Sequence, residues 1–130
     1  MIAYKVVIWS EKDQCYESCF ACGRYICKYI EGEITKAEYG TYLLCFKRRK
    51  DAIKFIAYTQ RNLTIFKIES VGRKITPRIY TSNYIEEYLD IYYDKLQNTS
   101  RLYDYHTNPP HEGTVCYSAV KVLGISKYSE

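Results

Sequence analysis

Two short segments carry side chains that together could grip a phosphorylated aromatic ligand. Arg78-Ile-Tyr80-Thr81-Ser82-Asn83 and Arg101-Leu-Tyr103-Asp-Tyr105-His-Thr-Asn108 each combine arginine, tyrosine and a side-chain amide. A tyrosine ring offers a purine a face to stack on, a guanidinium closes a bidentate fork on a pyrophosphate, and an amide reads a ribose hydroxyl. The candidate ligand-binding residues are therefore Arg78, Tyr80, Asn83, Arg101, Tyr105 and Asn108, with Arg24 counted beside them. A helix expected to start at Asn83 would add the open backbone N–H groups of its first turn. The competing explanation is compositional, because a low-GC coding sequence inflates Tyr, Ile, Lys and Asn whatever the function.

Catalytic chemistry has less to work with. Nucleophilic catalysis usually needs a histidine base beside a nucleophile, and the chain has only His106 and His111, five apart in one loop. Asp104 could pair with His106 as a general base, and a small phosphodiesterase is the enzymatic alternative. However, His106-Thr107-Asn108 is at best half of the paired motif such enzymes use. Gly23, Gly32, Gly40, Gly72, Gly113 and Gly124 are dispersed, which excludes the glycine-rich phosphate and dinucleotide loops. Neither a catalytic residue nor a cofactor is expected.

Four of the six cysteines fall within thirteen residues, as Cys15-x3-Cys19-x2-Cys22-x4-Cys27. Structural zinc sites present two close pairs on tight turns. Here only Cys19 and Cys22 have pair spacing, and an extended chain from Cys15 to Ile30 would send Cys22 to the face opposite Cys15, Cys19 and Cys27. Reduced thiols acting as small buried hydrophobes are expected instead of a metal site.

The elements that must position these groups follow from hydrophobic periodicity. Ile2 to Trp9 is β-branched and aromatic and should be a central strand, making a hairpin with the stretch Cys15 to Ile30, where Gly23 marks a bulge or a close approach of the backbone. Short strands are expected from Ile34 to Glu38 and from Thr41 to Phe46. At Asp51 the period becomes helical, with Ala52, Ile53, Ile56 and Ala57 as the apolar positions, and Leu63 to Glu69 returns to strict alternation. Asn83, with Glu86 three residues on, opens a second helix whose apolar stripe is Ile85, Tyr88, Leu89, Tyr92 and Leu96. A long loop from Gln97 to Glu112 contains Asn108-Pro-Pro-His, and Thr114 to Leu123 closes the chain as a last strand. The expected fold is α+β, a mainly antiparallel sheet of five to six strands with two helices packed on it, in one domain spanning 1–130.

Composition narrows the partners. The chain has 130 residues, 47% apolar, 16 of them tyrosine, with a net charge of +4. That length is enough for a core of its own. No run approaches the roughly 18–20 apolar residues of a membrane span, and Met1-Ile-Ala-Tyr-Lys5 has no secretory core, so a soluble cytoplasmic protein without membrane partners is expected. The only concentrated charge is Lys47-Arg48-Arg49-Lys50, which has no interleaved aromatic residue to stack a base; nucleic acid is therefore a disfavoured partner.

Three further features are Tyr4-Lys5-Val6-Val7, the strand-to-helix junction Phe46-x4-Asp51-Ala52-x2-Phe55, and Pro-Pro-x2-Gly113-Thr114-Val115 before the last strand. With them the chain as a whole resembles small phage-borne proteins, and among those is similar to the Thoeris anti-defence sponges. The resemblance implies a homo-oligomer that sequesters a cyclic ADP-ribose-type signal or a cyclic oligonucleotide without cleaving it, acting in the host cytoplasm. It also implies an arginine- and aromatic-lined pocket at a subunit interface, and it transfers no individual site residue. The principal alternative is a protein-binding inhibitor of a host defence complex, resembling an anti-CRISPR protein, whose tyrosine-rich surface docks its target.

Overall fold

In the first strand, β1 (Ile2–Ser10), alternation sends Ala3, Lys5 and Val7 to one face and Tyr4 and Val6 to the other. The computed structural model describes residues 1–19, 25–38, 41–76 and 110–126, and the strand backbone at 80–81 and 107–108. After β1 come β2 (Cys15–Ser18), β3 (Lys28–Tyr29), β4 (Ile34–Lys36), β5 (Leu43–Phe46), helix α1 (Arg49–Thr59), β6 (Thr64–Ser70) and β7 (Lys74–Ile75). The chain continues through β8 (Tyr80–Thr81), β9 (Thr107–Asn108), β10 (Thr114–Tyr117) and β11 (Ala119–Ile125).

Nine strands form one sheet in the order β4-β11-β6-β1-β5-β10-β7, with β2 joined to β1 and β3 to β2; β8 and β9 make a separate ribbon. All of these pairings are antiparallel. The sheet curls until β3 meets β4, where Thr35 Oγ1 donates to the Lys28 carbonyl at 2.8 Å. Inside the curl lie Ala3, Val7, Tyr29, Cys45, Phe66, Ile68, Val115, Tyr117, Val120 and Val122. On the outer face, α1 packs Ala52 and Phe55 onto Val6, Phe46 and Ile65. The Phe46 and Phe55 rings lie 5.2 Å apart. An aromatic pair of this kind adds about 0.5–1.5 kcal/mol beyond simple burial.

The mostly antiparallel sheet with helical cover agrees with the α+β expectation, but its nine strands exceed the five to six read from the sequence. Two of the additional strands come from splitting, and the third, β7, lies in the 71–77 stretch, which reads as a connector from its sequence. The stretch from Cys15 to Ile30 is two strands, β2 and β3, that pair with each other through Tyr16 and Tyr29. The last strand is also two, because the chain crosses at Ser118: β10 pairs with β5 and β7, and β11 with β6 and β4. Ser118 makes the crossing by donating its N–H to the Arg73 carbonyl at 2.9 Å while its Oγ accepts from the Arg73 N–H at 2.7 Å. An alternating pattern reads the same through such a crossing, so periodicity cannot register it. Among the described residues there is one helix, α1; the second expected helix, 83–96, lies outside them, as do Gly23 and Gly40. No helix among the described residues is long and apolar enough to cross a membrane.

Helix α1 seats the expected Ala52 and Ile56 on the sheet but turns Ile53 and Ala57 outward in favour of Phe55. Asp51, Ala52 and Phe55 are its buried residues, while Ile53 is 41% exposed. Phe55 decides the rotation, because only that setting lays its ring on Phe46.

The five described cysteines are unbridged thiols. Cys19 packs on the helix side, with its Sγ donating to the Val6 carbonyl at 3.4 Å, whereas Cys27 packs inside the curl. They therefore face opposite ways, although extended-chain alternation would put them together. Cys22 lies outside the described residues, and among those described no three metal-ligating side chains converge. Burial pushes the Cys45 thiol up to about 11 and raises Cys116 further. Since the thiolate is the reactive form, iodoacetamide at pH 8 should leave both unmodified in the native protein and label both in denaturant. Intact-mass and peptide mass spectrometry reads the result; rapid native labelling of either cysteine would contradict the core assignment.

Candidate functional site

Of the seven ligand-binding candidates, Tyr80 and Asn108 fall within the described residues. They are register partners: Tyr80 in β8 opposes Asn108 in β9, and Thr81 opposes Thr107. Opposed Cα atoms in an antiparallel pair lie about 4.5–5.5 Å apart. Segments separated by more than twenty residues thus meet at one residue from each candidate set. Arg24, Arg78, Asn83, Arg101 and Tyr105 lie outside the described residues.

From Asn108 the chain reaches His111 in three residues, a span of at most roughly 11 Å. The ribbon is thereby tethered beside the most elaborate polar cluster among the described residues, formed by the start of α1 and the turn at 110–114. Arg48 occupies the N-cap in extended conformation and makes no side-chain cap bond. Its guanidinium instead forks onto Asp51, Nε to Oδ2 at 2.9 Å and Nη2 to Oδ1 at 3.1 Å. The Asp51 side chain is 1% exposed, and its negative charge sits in the first helical turn, where the helix dipole favours it. Gly113 lies directly against the Asp51 carboxylate at φ +78°, so a β-carbon there would collide with Oδ2. The Gly113 carbonyl accepts the Lys47 N–H at 2.9 Å, and the Thr114 N–H and hydroxyl both donate to the His111 carbonyl.

Charge and ring surface extend outward from this clamp. Glu112 accepts from Lys54 Nζ at 3.0 Å and from Arg48 Nη2 at 3.3 Å. Lys54 first, and Arg48 with it, hold the Glu112 carboxyl below the usual carboxylate range. The His111 ring lies 5.0 Å from both Phe55 and Tyr58 in edge-on geometry, and Tyr58 remains 75% exposed.

Burial lowers the His111 pKa below its ordinary value. The folded form therefore keeps the ring neutral, while the unfolded chain protonates near pH 6.5. The contribution to stability is complete above about pH 6.5, declines as pH falls below it, and levels off beneath the folded pKa. The urea midpoint should accordingly drop more between pH 7.5 and 5.5 in the wild type than in His111→Gln. An equal drop in both proteins would contradict the assignment.

Sequence pattern alone places His111 in a loop and does not distinguish Tyr58, Lys54 or the Arg48–Asp51 fork. Lys50, Lys54 and Tyr58 do carry a sequence signal, since i, i+4 and i+8 share one helix face. The seating of His111 against Phe55 and Tyr58 depends on where the 110–114 turn packs, which local pattern does not encode. Away from this cluster, a cleft of about 380 Å³ beside β3 and β4 is lined by Ile26, Cys27, Ile34, Thr35 and Lys36 among others. Comparison with protein-family models, curated proteins and solved structures finds no match to this chain.

Proposed function

We propose that this protein is a phage-type, non-enzymatic binder that sequesters a nucleotide-derived immune signal, a cyclic ADP-ribose-type molecule or a cyclic oligonucleotide, and so suppresses host defence. The observation that supports the reading is the pairing of Tyr80 with Asn108, which joins two segments singled out independently for their arginine, aromatic and amide content. In this reading Tyr80 and Tyr105 stack the base, Arg24, Arg78 and Arg101 hold phosphate, and Asn83 and Asn108 read ribose or base edges. Two copies of the chain complete the pocket at their interface.

A thermal-shift panel of cyclic ADP-ribose isomers and cyclic dinucleotides tests this. A ligand present at a hundred times its Kd stabilises the native state by about 2.7 kcal/mol. For a chain of this length that is a rise in Tm of roughly 10 °C. A shift of that size with one member of the panel, and a dimeric or larger mass on size exclusion, are the expected results. No shift with any nucleotide would overturn the reading and leave the protein-docking inhibitor in its place.

A further inference from the structure

We infer that the exposed face of α1, with the turn at 110–114 beside it, binds single-stranded nucleic acid, the lysines holding the phosphate backbone and the Tyr58 ring, propped by His111, stacking a base. Non-specific single-strand binders combine a positive track with aromatic platforms, and the sequence offers the track without the platform. The fold supplies it. Lys50, Lys54 and Tyr58 are all exposed on one helix face, in steps of about 6 Å along the axis. His111 meets Tyr58 edge-on at 5.0 Å, a contact that supports one side of the exposed ring.

The charge balance of the region agrees. Residues 47–61 and 110–114 carry six cations, Lys47, Arg48, Arg49, Lys50, Lys54 and Arg61, against two carboxylates, Asp51 and Glu112. The surplus of four equals the net charge of the whole chain, so the positive charge is concentrated here. The roles within the basic tetrad divide. Arg48 is committed to Asp51 and Glu112, and Arg49 donates to Ser126 Oγ at 2.9 Å, whereas Lys47 and Lys50 are exposed at the surface. Glu112, the one carboxylate of the region facing solvent, engages Lys54 and Arg48, so Lys47 and Lys50 are the lysines open to phosphate beside Tyr58. An open track along a convex helix suits an extended strand, in contrast to the enclosed pocket a compact signal molecule needs. The inference therefore stands apart from the ligand reading, and either can fail alone.

Fluorescence anisotropy with a labelled 20-nucleotide oligo-dT or oligo-U, at 50 mM salt and above, tests it. The expected result is saturable binding, weaker for duplex of the same length, with log affinity falling against log salt at a slope of roughly −1.5 to −2, as two to three phosphate contacts require. Tyr58→Ala should lower single-strand affinity about tenfold without a change in Tm, because the ring is largely exposed. Lys47→Glu with Lys50→Glu should lower it further and flatten the salt slope. Heparin, which has charge but no bases, serves as the competitor that separates stacking from charge alone. Absence of binding at 50 mM salt overturns the inference, and so does an affinity that Tyr58→Ala leaves unchanged.

Discussion

Replacing Gly113 with alanine should destabilise the protein by about 3 kcal/mol, a fall in Tm of roughly 10 °C. Two independent costs meet at this position. At φ +78° any L side chain is strained, which costs about 1–2 kcal/mol. The added methyl must also enter the space of the Asp51 carboxylate, which cannot retreat because Arg48 holds both of its oxygens. Overpacking of this kind costs about 1–3 kcal/mol. Gly32→Ala is the matched control, since Gly32 has a similar φ of +87° but nothing within 4 Å of the added carbon. It should cost only the backbone part, about 1 kcal/mol. Equal losses in the two variants by urea denaturation would show that Asp51 yields and that the clamp is looser than described.

The second large effect concerns the ligand. Tyr80→Ala and Arg101→Ala should each weaken binding of the nucleotide that stabilises the wild type, by about five- to a hundredfold, because a stacked base is worth about 1–3 kcal/mol and a hydrogen bond to a charged group is worth a similar amount. Tyr80 sits in the β8–β9 ribbon, only two residues long on each strand, so Tyr80→Ala should lower Tm by no more than a few degrees. Calorimetric titration beside a thermal melt separates the two effects. Unchanged affinity in Tyr80→Ala would remove the ribbon from the site, unchanged affinity in Arg101→Ala would remove that arginine, and a large loss of Tm would make the replaced residue structural.

How far the sequence carries the fold depends on the kind of signal each element sends. Uninterrupted alternation places β1 and β6 well: Phe66 and Ile68 face one core and Ile65 the other, as their spacing requires. Two-residue strands such as β3 and β7 are too short to set up a period, and they exist because longer neighbours offer them an edge. Half of the α1 face, Ala52 and Ile56, follows from periodicity, whereas Ile53 and Ala57 fit a helical stripe as well as Phe55 does, and the contact with Phe46 distinguishes them.

The tyrosines divide in a similar way. Tyr29 and Tyr117 are almost wholly buried inside the curl, Tyr16 bridges Trp9 and Phe66 with ring separations of 5.0 and 4.9 Å, and Tyr58 stands exposed. Nothing local distinguishes these fates, because the same residue type suits a core, a ladder and a platform. At the candidate site, residue type alone singles out the two arginine- and tyrosine-bearing segments as candidates. That Tyr80 would oppose Asn108 is not legible there, because two-residue strands set up no period and their pairing spans more than twenty residues of chain.

The most direct measurement is recovery of the ligand. The protein is incubated with the nucleotide that raises its Tm, freed of excess by gel filtration, denatured by heat, and its supernatant chromatographed. Sequestration predicts the original molecule, chemically intact and near stoichiometric with the pocket. A cleaved or rearranged product, or a supernatant without nucleotide, would contradict it.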